Sequence, residues 1–189
     1  MFHRRARRAM TLIELLVVIA IMAVLTGITV GYSKQSRNQI LLTTEKAKIA
    51  QTIQRAKSLT LAGYTKPIIQ PPPCSYGVAV NYPDPNQYII FKYNLPDCRD
   101  VANLTQINEG QITTVDQPYS LAQGVNFKPE NENNDNLKYL IFIPPNLTTL
   151  IFSEGNIPPS DQPLAIYLET TDQSLDNKII VNPNGQLSL

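Results

Sequence analysis

Histidine, tryptophan and cysteine are scarce in this chain of 189 residues, which contains one His, no Trp and two Cys. The single histidine is His3, within a basic stretch at the start of the sequence. Because histidine is the commonest general base and a frequent zinc ligand, residues 10–189 cannot support histidine-dependent nucleophilic or zinc chemistry. Two cysteines are too few for a structural zinc site, and they lack the CxxC spacing of redox pairs. We therefore predict a protein that is not an enzyme, with no cofactor and no metal site.

Clustered positive charge is missing from most of the chain. Four of the 16 Lys and Arg residues lie in the first nine positions, as Arg4, Arg5, Arg7 and Arg8. From Met10 onward 12 Lys and Arg face 15 Asp and Glu, a net charge of −3. Non-specific nucleic-acid binding needs clustered basic side chains that neutralise phosphates. Nucleic acid is therefore not expected as a main partner.

One long apolar run follows the basic stretch. The 21 residues from Met10 to Val30 contain a single charge, Glu14. A helix of this length measures about 31 Å, the thickness of a bilayer's hydrocarbon core. The preceding arginines predict a cytoplasmic N-terminus and an exported remainder, by the positive-inside rule. Since the apolar run continues into a helical pattern instead of a signal-peptide cleavage site, we expect 10–30 to remain as the transmembrane half of a helix.

The amphipathic half of this helix is predicted over residues 31–66. Apolar residues recur there at spacings of seven, four and three, with polar residues between them. These positions are Leu42, Ile49, Ile53 and Ala56. The pattern predicts a helix to about Leu61 with Gly63 as its C-cap. Pro67 and the prolines at 71–73 then predict an extended connector.

Residues 67–189 are predicted to form a β-rich head with an antiparallel sheet, which gives an α+β fold with the long helix packed on it. Short runs with a period of two are split by Pro, Asn, Asp and Gly clusters. The predicted strands are Ser75–Tyr82, Gln87–Tyr93, Leu137–Ile143, Thr148–Phe152, Leu164–Thr170, Lys178–Asn182 and Gln186–Leu189. The sequence at 182–185 predicts the turn of a terminal hairpin. The Asn-rich stretch Asn131–Asn136 is predicted to be a solvated loop.

The two cysteines bracket the first predicted hairpin, Tyr76–Tyr93. On the exported side of a membrane a disulfide between Cys74 and Cys98 is expected, with two free thiols as the alternative. Closing this loop would stabilise the head by roughly 3 to 4 kcal/mol in the chain-entropy model. Asp97 and Asp100 flank Cys98, and a weak calcium site is an alternative to an ordinary solvated loop there.

The residues Arg8-Ala9-Met10-Thr11-Leu12-Ile13-Glu14-Leu15 resemble the cleavage signature of type IV prepilins. That signature places a basic leader and a small residue, usually Gly, before a hydrophobic residue and TLIEL. Here Ala9 replaces the usual Gly, and Met10 replaces the commoner Phe. The resemblance implies that a prepilin peptidase removes the leader 1–9 and methylates the new amine of Met10. It also implies assembly into a filament with other pilin or pseudopilin subunits through an inner-membrane assembly platform.

Glu14 has an energetic argument of its own. A carboxylate within an apolar span costs up to roughly 2.5 to 3.5 kcal/mol at the helix centre and less near an end, so Glu14 needs a partner. The Met10 amine of a neighbouring subunit would supply an opposite charge after cleavage. The alternative is a signal anchor in which Glu14 reaches the lipid headgroups.

Further features narrow the kind of subunit. Gly27 and Gly31 form a small-xxx-small pair that permits close helix packing, although glycine is frequent in membrane helices anyway. The tail from Phe152 to KIIVNPNGQLSL resembles the GspH/FimT group of minor pseudopilins and minor pilins. This resemblance implies a low-copy subunit of a type IV pilus or type II secretion pseudopilus, with membrane lipid around its helix before assembly. A major pilin and a DNA-uptake minor pilin are the alternatives, and the segment after Gly185 lacks arginine for DNA.

Overall fold

The computed structural model describes residues 11–65, 73–128, 136–153 and 161–189, except for the side chains of 29–33. Two compact units divide the chain, Met1–Gln39 and Ile40–Leu189. Helix α1 covers Leu12–Thr65, as the proline-free stretch predicts. The expected end near Leu61 with a Gly63 cap is wrong. The helix passes through Gly63, and the Thr65 hydroxyl donates to the Leu61 carbonyl at 3.0 Å, which satisfies a terminal acceptor.

The predicted apolar face of α1 is buried in the second unit. The exposed fractions of its four side chains are 2% for Leu42, 0% for Ile49, 1% for Ile53 and 0% for Ala56. Two threonines complete the buried face without an unpaired hydroxyl. Thr52 donates to the Lys48 carbonyl and Thr60 to the Ala56 carbonyl, each at 3.0 Å. The period of the sequence therefore predicted correctly which side of this helix packs on the head.

In the described part of the chain, ten strands form two sheets, where the sequence predicted one. The strands are β1 Ser75–Val80, β2 Gln87–Tyr93, β3 Ile112–Thr114, β4 Tyr119–Ser120, β5 Val125–Phe127, β6 Leu137–Ile143, β7 Thr148–Ser153, β8 Leu164–Thr170, β9 Asp176–Val181 and β10 Leu187–Ser188. The larger sheet has the order β3-β2-β1-β6-β7, with β4 also paired to β2. The smaller has the order β10-β9-β8-β5, and all strand pairs are antiparallel.

The predicted strands are all present, but β3, β4 and β5 were missed. They have only two or three residues each, too few for a periodic signal. The predicted solvated loop is wrong at its last residue. Asn136 is buried and forms an isolated β-bridge with Ala165. Residues 131–135 of that loop lie outside the described residues.

The larger sheet is buried on both faces, which explains why β1 has six buried residues in a row. One face packs with helix α1 and the smaller sheet, through residues such as Val78 and Leu140. The opposite face packs under the chain between β2 and β3, where Val101 and Ile107 cover Phe91. That covering segment includes 3₁₀ helices at Cys98–Asn103 and Glu109–Gln111.

The terminal hairpin is confirmed. The Gly185 amide donates to the Asn182 carbonyl at 2.8 Å, and β10 pairs with β9 through Leu187 and Val181. Gly185 has a φ of +73°, in the left-handed region where a side chain is strained. An added Cβ would also lie only 2.5 Å from the Thr149 hydroxyl oxygen. Asn-Gly at this turn therefore serves both the turn geometry and the packing against β7.

Candidate functional site

Thr11 and Glu14 form a reciprocal capping box at the start of α1. The Thr11 amide and hydroxyl each donate to Glu14 Oε2 at 3.0 Å. In return, the Glu14 amide donates to the Thr11 hydroxyl oxygen at 3.3 Å. Thr-x-x-Glu is the known sequence pattern of a capping box, so the spacing of Thr11 and Glu14 would have predicted this motif from the sequence. Glu14 therefore has hydrogen-bond partners within its own chain, besides any that assembly supplies.

Apolar side chains surround Glu14 and stay exposed throughout the first part of α1. Their exposed fractions run from 42% at Val18 to 80% at Leu12. The large apolar residues in this set are Leu12, Ile13, Leu15, Leu16, Val17, Val18, Ile19, Ile21, Met22, Val24, Leu25 and Ile28. Exposed apolar surface of this extent marks a contact with lipid or with another protein.

The predicted membrane span and its glycine pair can be compared with the first part of α1. Over the described residues, no helical stretch combines the length and apolarity of a membrane span. Apart from the neighbouring residues and the backbone of its own helix, an added Cβ at Gly27 would meet no described atom within 4 Å, so close approach of another helix is open at that position. Ala9 and Met10, the predicted cleavage and methylation residues, lie outside the described residues, as does the surrounding of Gly31.

The predicted disulfide between Cys74 and Cys98 is present. Its Cα atoms are 4.9 Å apart and the sulfurs 2.06 Å apart. Cys74 directly precedes β1, and Cys98 begins the first 3₁₀ helix. The bond therefore ties the covering segment to the open end of the β1–β2 hairpin.

Of the two aspartates beside Cys98, Asp97 caps a helix and Asp100 lies in the first turn of that helix. The Asp97 carboxylate accepts from the Arg99 amide at 2.9 Å, which caps the 3₁₀ helix at Cys98–Asn103. No group of three or more His, Cys, Asp or Glu that could hold a metal ion occurs in the described part of the chain. The position of Asp97 is thus explained by local backbone hydrogen bonding.

The head also holds polar contacts that sequence reasoning missed. Glu45 is 1% exposed, and one of its oxygens lies 2.7 Å from the Lys48 ammonium. Its other oxygen is buried and has no hydrogen-bond partner among the described residues. Arg55 on the next turns of α1 forms an ion pair with Asp116 at 2.9 Å and donates to the Tyr119 hydroxyl at 2.9 Å. The contacts of Arg55 connect α1 with the segments around β4, and the distance of these partners along the sequence carries no signal for them.

Comparison with known proteins gives one finding. Residues 4–30 match the family model described as the prokaryotic N-terminal methylation motif. No curated protein and no solved structure matches the chain significantly. The motif supports a type IV pilin-like or pseudopilin subunit, and it implies a structural subunit processed by prepilin peptidase and assembled with other pilins. It also suggests a membrane-anchored, exported protein.

Proposed function

We propose that this chain is a low-copy structural subunit of a type IV pilus or type II secretion pseudopilus. In this proposal, residues 1–9 are a leader, 10–30 the membrane-resident half of the helix, 31–66 its amphipathic half, and 67–189 the exported head. The N-terminus is cytoplasmic, and the subunit leaves the inner membrane when it joins a filament. The observation that carries the proposal is the methylation motif, with an acidic residue followed by an exposed apolar helix.

Glu14 has a specific part in this proposal. Cleavage after Ala9 would create a cationic amine on Met10, with an unperturbed pKa of about 7.7 to 8.0. A neighbouring subunit, displaced by about one helical turn, would present this amine to Glu14. The capping box leaves room for such a pairing, because Thr11 engages Glu14 through Oε2 only in the hydrogen bonds observed. An ionised carboxylate accepts at both oxygens, so Oε1 can accept a second partner.

A minor subunit of the GspH/FimT kind fits the tail of the chain. The resemblance starts at Phe152 in β7 and continues through the strands β8, β9 and β10, while Gly155 lies outside the described residues. The same segment presents no arginine after Gly185, which disfavours the DNA-uptake alternative. The amount of this chain relative to other pilins in sheared filaments would distinguish a minor from a major subunit.

Mass spectrometry of the N-terminal peptide from native membranes tests processing. We expect a mature chain that begins with N-methylated Met10. A mature chain that retains Arg4–Arg8, or one cut beyond Val30, would contradict the proposal.

Fractionation tests assembly separately: the chain should be present in sheared filaments as well as in membranes. Processing without any filament-bound chain would leave a methylated membrane protein and disprove the filament role.

A further inference from the structure

The two cysteines of the disulfide differ in exposure although they are bonded to each other. Cys74 directly precedes β1 and is 6% exposed, whereas Cys98 is exposed at the start of the first 3₁₀ helix. Thiol–disulfide exchange begins when a thiolate attacks one sulfur of a disulfide, so access helps to decide which sulfur is attacked. The folded head therefore offers Cys98, and not Cys74, to a reagent from outside.

A cavity of about 610 Å³ opens beside this bond and is lined by both cysteines. Its other walls include Tyr64, Tyr76 and Pro144, so the cavity is largely apolar. This volume lies within the range of about 300 to 1,000 Å³ that is typical of ligand pockets. A peptide segment that carries a cysteine can therefore approach the bond while the head stays folded.

The charged residues near Cys98 oppose one another. Arg99 lines the cavity, and a cation at this position favours a thiolate. Asp97 and Asp100 are exposed on either side of Arg99 along the chain, and their negative charges have the contrary effect. Local charge therefore does not select one of the two sulfurs, and the difference in exposure decides between them.

The surroundings of Cys74 keep it beside Cys98 when the bond is open. The Cys74 sulfur lies 3.6 Å from the Leu95 carbonyl oxygen, to which a reduced Cys74 thiol can donate. The covering segment is anchored on the larger sheet by Val101, which is 0% exposed, and by Ile107, which is 5% exposed. Because this packing does not involve the sulfurs, Cys98 stays within reach of Cys74 after exchange, and the bond can close again.

We propose that Cys98 is the site at which the folded head exchanges its disulfide with peptide-borne thiols and disulfides, and that Cys74 is the resolving cysteine. In the oxidising direction the Cys98 thiolate attacks a disulfide R–S–S–R, forms a mixed disulfide and releases RS⁻. The Cys74 thiol then loses its proton to solvent, attacks the Cys98 sulfur and releases the second RS⁻. The cysteine pair loses two electrons and the disulfide R–S–S–R gains them. The setting of this exchange rests on the proposed export of the head, whereas the choice of sulfur does not.

Trapping of the native bond tests the choice of sulfur in the full-length wild-type chain in detergent. Reduced glutathione is added in excess, an alkylating reagent stops the reaction, and mass spectrometry locates glutathione on the two cysteine peptides. In the folded chain we expect glutathione on Cys98 about tenfold more often than on Cys74, because only one sulfur is accessible. In unfolding concentrations of urea the two cysteines should react to within about twofold, because unfolding removes the difference in access.

Single-cysteine variants test the oxidising direction with oxidised glutathione. The variant Cys74→Ser retains only Cys98, and the variant Cys98→Ser retains only Cys74. Cys98 should form a mixed disulfide about as fast in the folded chain as in urea, whereas Cys74 should react about tenfold more slowly when folded. A cooperative urea transition verifies that each variant is folded. If a variant does not fold, the mapping of the native bond still decides, because it needs no substitution.

A protein reagent distinguishes the two sources of a peptide-borne thiol. Thioredoxin in which serine replaces the resolving cysteine forms a trapped mixed disulfide with the sulfur that it attacks. Trapping at Cys98 by both reagents supports a protein as the exchange partner, and trapping by glutathione alone supports a small peptide thiol. Equal labelling of both cysteines in the folded chain, labelling mainly of Cys74, or no labelling of either would overturn the inference. Absence of the wild-type chain from sheared filaments contradicts the filament role instead and leaves this mapping unaffected.

Discussion

Glu14 combines a hydrogen-bond acceptor with a negative charge, and the proposed function gives these two properties different roles. The acceptor completes the capping box with Thr11. The charge is the property that would pair with the Met10 amine of a neighbour. Glutamine keeps the acceptor, because Gln and Glu both serve in capping boxes, but it removes the charge. Substitution with Gln therefore separates helix capping from assembly.

Glu14→Gln and Glu14→Leu should both leave cleavage after Ala9 and membrane insertion intact, since neither raises the cost of insertion. If the charge drives assembly, both should reduce the ratio of chain in sheared filaments to chain in membranes about tenfold or more, the factor for about 1.4 kcal/mol. The wild-type chain in the same host is the reference. A Gln variant that assembles normally while the Leu variant fails would assign Glu14 to capping alone.

At the scale of single elements, the buried face of α1 should account for much of the head's stability. Ile53 is 1% exposed and Ile40 is 66% exposed, so the same substitution on one helix tests burial. Ile53→Ala should lower the free energy of unfolding by about 2 to 5 kcal/mol, because it removes buried methyl groups and leaves a cavity. Ile40→Ala should change it by less than about 0.5 kcal/mol. Urea unfolding of the full chain in detergent measures both, and equal losses would contradict the packing.

The disulfide should stabilise the element that it closes. Replacing both cysteines by serine should lower the free energy of unfolding by roughly 3 to 4 kcal/mol, since the loop of 24 residues is no longer constrained in the unfolded chain. Reduced wild-type protein provides the control and should unfold at the same urea concentration as the double variant. An unchanged unfolding midpoint would show that packing of Val101 and Ile107 holds the covering segment without the bond.

Elements whose apolar residues follow a regular spacing over many residues were predictable. Elements whose position depends on contacts between distant parts of the sequence were not. Leu42, Ile49 and Ile53 reveal the face of α1, because helical spacing marks one side over several turns. The packing of the segment between β2 and β3 on the larger sheet was not predicted, because Val101 and Ile107 are isolated apolar residues in a polar segment. The N-terminal methylation motif was predictable because its residues are contiguous. The cavity of about 610 Å³ at the disulfide end of the β1–β2 hairpin was not predictable, because folding brings Tyr64, Tyr76 and Arg99 together from three separate segments.

At the scale of the whole molecule, the α+β class followed from the change of period after residue 67, but the number of sheets did not. Hairpin signals show which neighbouring strands pair, whereas β1 pairs with β6 across a separation that no turn encodes. The Met1–Gln39 unit contributes exposed apolar helix, and the Ile40–Leu189 unit contains the packed cores. The packed cores that stabilise the fold therefore lie in the second unit.

Buried and half-buried tyrosines distributed over the head make its stability sensitive to alkaline pH. Burial is the first cause that raises the pKa of Tyr76, Tyr82, Tyr88, Tyr119 and Tyr139. For Tyr88 burial, with a further contribution from the Glu45 charge, raises the pKa to about 12. For Tyr139, which donates to a Glu109 carboxylate oxygen at 2.6 Å, that hydrogen bond adds to the effect of burial. The folded head therefore holds these phenolic protons more tightly than the unfolded chain does.

The direction of the pH effect follows from this difference. Unfolded tyrosines lose their protons near pH 10, whereas Tyr88 in the folded head keeps its proton up to a pKa of about 12. Between these values the folded state binds more protons, so the free energy of unfolding must fall as pH rises. The stabilisation is fully present below about pH 10.

Urea midpoints of the full chain in detergent, measured from pH 8 to pH 11.5, should decrease most steeply above pH 10. Tyr88→Phe keeps the ring and removes the ionisable group, so its midpoint should decrease less steeply than that of the wild type. Lysine deprotonation over the same range affects both proteins, so parallel curves would show that Tyr88 does not contribute.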